Sequence, residues 1–339
     1  MRRLYSIALA IVFSFVLTTA KCAEEPKSDS AGQINLAAPT LGGMQFWSDE
    51  LFFHHWRIQR NSITGHCRLL DEQDVRRAWG TFEECRSALE DTKQREQLPA
   101  MRGKMVIVLH GLGRTRSSMN GIARFLEKDG TYEALNVSYP STIAEIDDHA
   151  QSLARIIENL KDVEEIDFVA HSLGNLVVRR YLDAAKSAAG SDPRFKRMVM
   201  LGPPNNGAQL ANALDHNLVS REFIGVPGRE LAENWPKLSQ HLATPQFEFG
   251  IIAGGKQDAH GYNPLLSGDN DMVVTVEETR LTGARDTLCV PVIHTILMDD
   301  RAVQEATLRF LEHGYFIAED ERQPIEPVNE QRPTTDGRK

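Results

Sequence analysis

The sequence predicts an α/β fold, with a mostly parallel sheet that carries helices on both faces. From residue 101 onward, short apolar runs rich in β-branched residues alternate with amphipathic segments of helical spacing. Strands that alternate with helices favour a parallel sheet joined by crossovers. The runs are apolar throughout, which is typical of strands buried on both faces. At 339 residues and 41% hydrophobic residues, the chain can bury a large core.

The same patterns predict the individual elements. We predict strands at residues 105–109, 134–138, 166–170, 198–201, 249–253 and 288–293, and helices at 116–128, 143–160, 173–188 and 302–313. These elements define a single α/β domain at residues 101–315. Residues 24–100 are expected to form an N-terminal extension packed on it, with helical pieces around 74–86 and 87–95. Residues 316–339 are charged and contain proline, which predicts a disordered tail.

Charge and the N-terminal residues bear on partners and location. The formal net charge of −9 argues against a nucleic-acid partner, because phosphate binding requires a basic surface. Residues 1–23 combine Arg2 and Arg3, an apolar stretch and small residues before Ala20, which indicates a signal peptide. The expected location is therefore secreted or periplasmic. The alternative is an N-terminal membrane anchor, for which the apolar stretch is slightly short.

The cysteines follow from that location. Export would permit disulfides, and Cys67 and Cys85 are the expected pair, with two free thiols as the alternative. Cys289 lies in an apolar run and is expected to be a small buried residue. The chain has no Cys/His spacing typical of zinc, so we expect no metal site.

One pentapeptide carries the main functional signal. The segment Ala170-His171-Ser172-Leu173-Gly174 lies between a predicted strand and a predicted helix, and it matches the pattern G-x-S-x-G with alanine first. In that pattern the serine occupies a sharp turn, and its small neighbours let strand and helix pack tightly. The helix N-terminus nearby favours developing negative charge. The sequence therefore predicts Ser172 as a nucleophile and His171 as a packing residue. The alternative is an ordinary buried serine.

Four features in chain order carry a family resemblance. They are His-Gly-Leu-Gly at residues 110–113, the pentapeptide around Ser172, the loop with Asn270 and Asp271, and His294 before a closing helix. Together they resemble the bacterial lipase and esterase branch of the α/β-hydrolase superfamily, over residues 101–315. The stretch at residues 202–207 is also similar to the Pro-Asn-x-Gly segment of such lipases. One position departs, since Met272 stands where the family has glycine.

The resemblance implies the rest of the catalytic machinery. The backbone N–H groups of Leu112 and Leu173 would form the oxyanion hole. The triad order of serine, acid and histidine makes His294 the base, because it directly follows the last predicted strand. Asp271 is the favoured acid, with Asp269 as the next candidate and Asp258 as the third. No cofactor is implied.

The family also places a cap, here at about residues 205–246. Its apolar residues would either line a site for an acyl chain or only fasten the cap helices to the body. The cap residues concerned are Leu210, Leu214, Phe223, Ile224, Val226, Leu231, Trp235 and Leu238.

These observations predict a serine hydrolase that cleaves carboxylic esters, as an esterase or lipase, through an acyl-enzyme. Its partner would be a small-molecule or lipid ester, with transient contact to lipid surfaces. Thioesters, amides and specialised lipids stay open, because the mechanism would be the same. Outside enzymes, the alternatives are a catalytically silent binding protein and a membrane-anchored interaction protein that docks through residues 44–100.

Overall fold

The structure is a computed structural model that describes residues 38–39, 45–189, 192–210 and 218–326. For residues 38–39, 186–189 and 218–224 it describes the backbone alone. These residues belong to one compact unit, Asn35–Lys339. The predicted signal peptide at residues 1–23 and the last part of the predicted tail, residues 327–339, lie outside the described residues.

The N-terminal extension contains an antiparallel sheet. Its strands are β1 (Ala38–Pro39), β2 (Trp47–Phe53), β3 (Trp56–Asn61), β4 (Cys67–Leu70) and β5 (Val75–Gly80), in the order β1-β5-β4-β3-β2. A helix follows, α1 (Phe82–Glu96).

The predicted helical pieces at residues 74–86 and 87–95 were therefore partly wrong. Residues 75–80 form β5, which pairs with β4 across a short turn and with the more distant β1. The helix begins only after Thr81, whose hydroxyl accepts the Glu84 N–H while the Glu84 carboxylate accepts the Thr81 N–H. This capping box lies directly after β5 and fixes the first turn of α1.

A parallel sheet of six strands lies at the centre of the unit. The strands are β6 (Lys104–Leu109), β7 (Tyr132–Val137), β8 (Glu165–His171), β9 (Phe195–Leu201), β10 (Glu248–Gly254) and β11 (Asp286–Val290). Their order is β11-β10-β9-β8-β6-β7, and each pairing is parallel. The predicted α/β class is confirmed, and the carboxyl ends of the strands meet along one edge.

Helices cover both faces of this sheet. The described helices after α1 are α2 (Asn120–Asp129), α3 (Ile146–Asn159), α4 (Leu173–Ala189), α5 (Leu218–Glu233), α6 (Trp235–Ser239), α7 (Val276–Thr279) and α8 (Arg301–His313). Alternate residues of β6 serve the two faces: Ile107 packs in the core under α3 and α4, and Val108 in the core under α2 and α8. Both faces are apolar, as expected for strands buried on two sides.

The N-terminal sheet shares the core on the α3 and α4 face. Ile58 of β3 and Leu69 of β4 are fully buried there in one cluster with Ile107. The Asp49 N–H donates to the Ser138 carbonyl at 2.9 Å, and the Ser138 N–H donates to the Asp49 carboxylate at 2.6 Å. The N-terminal sheet is thus joined to the carboxyl end of β7.

Two expectations about residues away from the carboxyl edge of the parallel sheet were wrong. Cys67 and Cys85 are free thiols, both buried, and burial raises the pKa of Cys85 to about 12. Residues 316–326 of the predicted disordered tail pack on the unit: Phe316 is buried against Phe310, and the Ile325 N–H donates to the Ala284 carbonyl. The prediction rested on the overall polar composition of residues 316–339, in which the two buried apolar side chains Phe316 and Ile325 carry little weight.

The segment between β9 and β10 carries α5 and α6. Leu231 and Leu238 are buried in the main core, and Trp235 packs against it, so these three side chains fasten the helices to the body. Leu214 lies outside the described residues. Within the part of the chain that is described, no helix has the length and apolarity needed to cross a membrane.

Candidate active site

Ser172 occupies the turn between β8 and α4. Its φ of 53° lies in the left-handed region, which a non-glycine residue adopts only under strain. The Ser172 N–H donates to the Leu201 carbonyl at 2.9 Å, and the Asn175 N–H donates to the Ser172 carbonyl at 3.1 Å. These bonds fix the turn, and the serine stays partly exposed at the carboxyl edge of the sheet.

Two glycines explain the small residues in the sequence motifs around Ser172. A β-carbon at Gly174 would lie 2.9 Å from the Leu109 side chain at the end of β6. A β-carbon at Gly111 would lie 3.0 Å from the Ser172 β-carbon. Contacts this short leave no room for a side chain, so the loop after β6 lies directly against the serine.

Asp271 and His294 form a buried pair. The His294 Nδ1 lies 2.6 Å from the Asp271 Oδ2, and the two residues are 5% and 0% exposed. The other carboxylate oxygen, Oδ1, accepts the N–H groups of Val273 and Val274 at 3.0 and 2.8 Å. A carboxylate oxygen accepts hydrogen bonds, so the imidazole donates its Nδ1–H to Asp271 and leaves Nε2 free to accept a proton.

The two other candidate acids lie in turns away from His294. Asp269 accepts the N–H groups of Lys256 and Gln257, each at 2.8 Å. Asp258 accepts the N–H groups of His260 and Gly261 in an exposed turn. The structure therefore brings Asp271, and neither alternative, into hydrogen-bond contact with His294.

Glycines at two strand ends make room for this pair. A β-carbon at Gly202, just after β9, would lie 3.0 Å from the His294 Nδ1. A β-carbon at Gly254, at the end of β10, would lie 2.7 Å from the Asp271 β-carbon. The sequence analysis did not assign either glycine to the site. Their position at the carboxyl end of an apolar strand was the one feature of the sequence that could have indicated a place in the site.

His171 lies against His294 and does not take part in the pair. Its Nε2 lies 2.9 Å from the His294 carbonyl oxygen, and the two ring centroids are 4.5 Å apart. Burial lowers the pKa of His171 well below its ordinary value, so the ring is neutral and donates its proton to that carbonyl. His171 thus helps to fix the backbone of His294.

The candidate oxyanion hole lies between two backbone segments. Leu173 is the first residue of α4, so its N–H has no acceptor within the helix. Leu112 lies between Gly111 and Gly113 in the loop that touches Ser172. His110 begins this loop, and its Nδ1 donates to the Gly111 carbonyl at 2.9 Å. Burial lowers the pKa of His110 to about 4, so this ring is neutral as well.

Arg179 holds the segment after β9, and no motif in the sequence points to this residue. Its buried guanidinium donates to the side-chain oxygen of Asn205 at 2.9 Å and to the Ala243 carbonyl at 3.0 Å. The Asn205 amide in turn donates to the Thr279 carbonyl at 2.8 Å. These bonds give a structural reason for the Pro-Asn-Asn-Gly stretch, because Asn205 bridges α4 and α7.

The donor set of the site suits proton transfer and nucleophilic attack. Among the described residues, no group of three or more His, Cys, Asp or Glu side chains could hold a metal ion. What the site offers is a serine hydroxyl, an imidazole oriented by a carboxylate, and backbone N–H groups beside them.

The fold and the site together define a class of protein. A parallel sheet, a serine at positive φ between strand and helix, and an Asp–His pair from later loops at the same sheet edge are the features of the α/β-hydrolase fold. This chain has that fold.

Known proteins resemble the chain at low sequence identity. Residues 68–222 match the sequence model of a family described as a domain of unknown function (DUF7379). No curated protein matches the sequence significantly. Among solved structures, the chain is similar to the product of gene lin2722 from Listeria innocua, with 19% identity over 62% of this chain and 94% of that chain, at a TM-score of 0.42.

Two further solved structures carry functional names. Lipase BlEst2 from Bacillus licheniformis, in its mature form, has 20% identity over 61% of this chain and 89% of that chain, with a TM-score of 0.44. Phospholipase PlaB from Legionella pneumophila, in complex with thio-NAD, has 20% identity over 52% of this chain, with a TM-score of 0.43. The match covers 44% of the PlaB chain, so this chain spans less than half of that protein.

Proposed function

We propose that this protein is a serine hydrolase that cleaves carboxylic esters, with Ser172 as nucleophile, His294 as base and Asp271 as acid. The observation that carries the proposal is the 2.6 Å hydrogen bond between Asp271 and His294 beside the strained turn of Ser172. Burying a carboxylate costs folding free energy, so a buried Asp–His pair indicates a role beyond stability. Orientation of a catalytic imidazole is such a role.

In the first half of the proposed reaction, the Ser172 Oγ attacks the ester carbonyl carbon while the His294 Nε2 takes the hydroxyl proton. The tetrahedral intermediate carries its negative charge on the former carbonyl oxygen. The N–H groups of Leu112 and Leu173 donate to that oxygen. The bond to the alcohol oxygen then breaks, and the alcohol leaves with the proton from His294.

The second half repeats these steps with water. Water gives a proton to His294 and attacks the acyl-enzyme carbonyl, and the Ser172 Oγ leaves with that proton. The products are the carboxylic acid and the free enzyme. Asp271 stays ionised throughout and stabilises the imidazolium that forms twice in the cycle.

Exposed apolar side chains near the acid and base support an apolar substrate portion. Leu265 is 86% exposed, Met272 46% and Ile296 48%. Met272 directly follows the acid, Ile296 lies two residues after the base, and Asn263 bonds both to the Met272 carbonyl and to the Leu265 N–H. We infer that these side chains contact acyl chains or a lipid surface.

The experiment is hydrolysis of p-nitrophenyl esters from acetate to palmitate by the wild type and Ser172→Ala, with Ser62→Ala as an exposed-serine control. We expect hydrolysis by the wild type and the control, and none by folded Ser172→Ala. The chain length with the highest kcat/KM separates an esterase from a lipase. Hydrolysis that persists in Ser172→Ala would overturn the proposed mechanism.

We also propose that the protein is exported, on the evidence of residues 1–23. Expression of the full chain in a bacterium, followed by fractionation and N-terminal sequencing, tests this. We expect a secreted or periplasmic protein that begins at Lys21. Full-length protein retained in the membrane fraction would favour the anchor.

A further inference from the structure

The loop at residues 110–114 lies against the nucleophile, and its position decides where the Leu112 N–H points. No regular secondary structure fixes this loop, since it lies between the end of β6 and a short 3-10 turn, Arg116–Met119. An oxyanion donor must lie within about 0.5 Å of its working position to be effective. Other parts of the chain must therefore hold the loop in place.

Gln45 holds the C-terminal end of this loop. This residue lies in the N-terminal extension just before β2, and its amide Nε2 donates to the Arg114 carbonyl at 2.7 Å. Its amide oxygen accepts the N–H and the hydroxyl of Thr142 at 3.2 and 2.9 Å. The amide is thus bonded on both sides, and it ties the loop to the segment after β7.

Thr142 extends this connection to the cap. The Val226 N–H donates to the Thr142 carbonyl at 2.9 Å. The Ile146 N–H, a few residues later, donates to the Glu230 carboxylate at 3.1 Å. One side chain of the N-terminal extension therefore links the loop beside Ser172 with a segment that contacts α5.

Tyr139 holds the N-terminal end of the loop. Its hydroxyl donates to the His110 carbonyl, and its ring stacks on the His110 imidazole with centroids 4.0 Å apart and planes 8° apart. Tyr139 is 2% exposed, so its hydroxyl does not exchange this bond for one to bulk water. The carbonyl groups at both ends of the loop thus accept hydrogen bonds from side chains on other segments.

We propose that Gln45 and Tyr139 are positioning residues of the oxyanion hole, and that the N-terminal extension, through Gln45, is for this reason needed for efficient catalysis. Neither side chain touches the reacting atoms. Each fixes a carbonyl of the loop, and together they orient the Leu112 N–H toward the oxyanion. The proposal rests on the proposed function, and it assigns a role to an extension that contributes no residue to the triad.

The test uses the full-length protein with the variants Gln45→Met, Gln45→Glu and Tyr139→Phe. Gln45→Met keeps the length of the side chain and removes its hydrogen bonds to Arg114, Ser141 and Thr142. Gln45→Glu keeps the acceptor for Thr142 and removes the donor to the Arg114 carbonyl and to the Ser141 hydroxyl, so it separates the donor side of the amide from the acceptor side. Tyr139→Phe keeps the stacked ring. Gln73→Met is the matched control, because Gln73 is exposed in the turn between β4 and β5.

We expect all three test variants to lower kcat for p-nitrophenyl acetate about tenfold or more, because a displaced oxyanion donor stabilises the transition state less. KM should change little, since the ground-state ester does not carry the oxyanion charge. The rate of fluorophosphonate inactivation should fall in parallel with kcat. Gln73→Met should match the wild type in all three quantities.

Hydrogen exchange measured by mass spectrometry gives a readout independent of turnover. We expect peptides covering residues 110–116 to exchange faster in the three test variants and at the wild-type rate in Gln73→Met. If Gln45→Met and Tyr139→Phe both kept the kcat and the exchange rates of the wild type, this inference would be overturned. The proposed function would still stand. A wild type that hydrolyses no ester would overturn the proposed function, and hydrogen exchange would still decide whether these side chains order the loop.

Discussion

At the scale of single residues, the proposal of Asp271 rather than Asp269 as the acid rests on hydrogen-bond chemistry. The Asp271 Oδ1 accepts two backbone N–H groups and Oδ2 accepts the His294 Nδ1–H. In Asp271→Asn, the amide oxygen stays with the backbone donors, and the amide NH2 faces His294. The imidazole must then accept at Nδ1 and carry its proton at Nε2, which is the wrong tautomer for a base.

We therefore expect Asp271→Asn to lower kcat by about 10⁴-fold with little change in stability. Asp269→Asn is the control, since Asp269 bonds to a different turn, and its kcat should stay close to that of the wild type. Steady-state kinetics on p-nitrophenyl acetate measure both. A larger loss in Asp269→Asn than in Asp271→Asn would move the acid to Asp269.

Met272 takes a backbone conformation that favours glycine. Its φ is 89°, and a residue with a β-carbon is strained there by about 1–3 kcal/mol. Glycine would relieve the strain but would give the unfolded chain more freedom, so we expect Met272→Gly to raise the free energy of unfolding by about 1 kcal/mol. Urea denaturation measures this. Met272→Ala is the control, because it keeps the β-carbon and hence the strain; equal effects of both changes would contradict the strain argument.

Three histidines near the carboxyl edge of the parallel sheet are buried in the neutral form. Burial lowers the pKa of His110 to about 4, that of His149 to about 3, and that of His171 well below its ordinary value of 6.5. Below pH 6.5 the unfolded chain binds protons at these residues that the folded chain does not bind. The stability contributed by the neutral rings is therefore complete above pH 6.5 and falls as the pH drops from 6.5 toward 4.

His149→Phe removes one of these groups and keeps a ring against Tyr139, which lies 4.8 Å from His149. We expect the fall in unfolding free energy between pH 6.5 and pH 4 to become shallower by up to about 1.4 kcal/mol per pH unit. Urea denaturation at a series of pH values measures the slope. The exposed His260 serves as a control through His260→Phe, whose slope should match the wild type. An unchanged slope in His149→Phe would contradict this account.

At the scale of elements, the N-terminal sheet depends on a buried polar network. Asp49 is fully buried and accepts from Arg57 at 3.2 Å, from Gln59 at 2.7 Å and from the Ser138 N–H at 2.6 Å. Arg57, also buried, bonds to Asp74 as well. The network joins β2 and β3 to the end of β7, so it fixes the sheet on the body of the fold.

Asp49→Ala would leave Arg57 buried with one carboxylate fewer and would free the Ser138 N–H. We expect it to lower the free energy of unfolding by about 3–5 kcal/mol, the usual cost of breaking a buried ion pair. Chemical denaturation gives the value, and Glu72→Ala, at an exposed position, should change it little. If Asp49→Ala were as stable as Glu72→Ala, the network would not hold the sheet.

The elements that were predicted best from the sequence are those whose own residues show a clear apolar pattern. The six central strands are short segments rich in apolar residues, and each was predicted within a few residues of its bounds. β5 was missed because Val-Arg-Arg-Ala-Trp-Gly has no clear alternation, and its conformation comes from pairing with β1 and β4. Residues 316–326 were missed because two apolar side chains anchor an otherwise polar segment.

At the scale of the whole molecule, residues far apart in sequence meet at one sheet edge. Ser172, Asp271 and His294 could be proposed from sequence because motif and order locate them, and the structure brings the last two into contact. Gln45 and Tyr139 could not, since their partners are backbone carbonyls 69 and 29 residues away. A carbonyl has no sequence signature, so residues that position a loop emerge only from the fold.

The most direct test of the central claim is covalent labelling of Ser172 with a fluorophosphonate. The proposed site predicts a single adduct on the folded wild type, located by peptide mass mapping at Ser172. The adduct should be absent in Ser172→Ala and form far more slowly in Asp271→Asn. An unlabelled folded wild type, or an adduct on a different serine, would contradict the claim that Ser172 is the nucleophile of this fold.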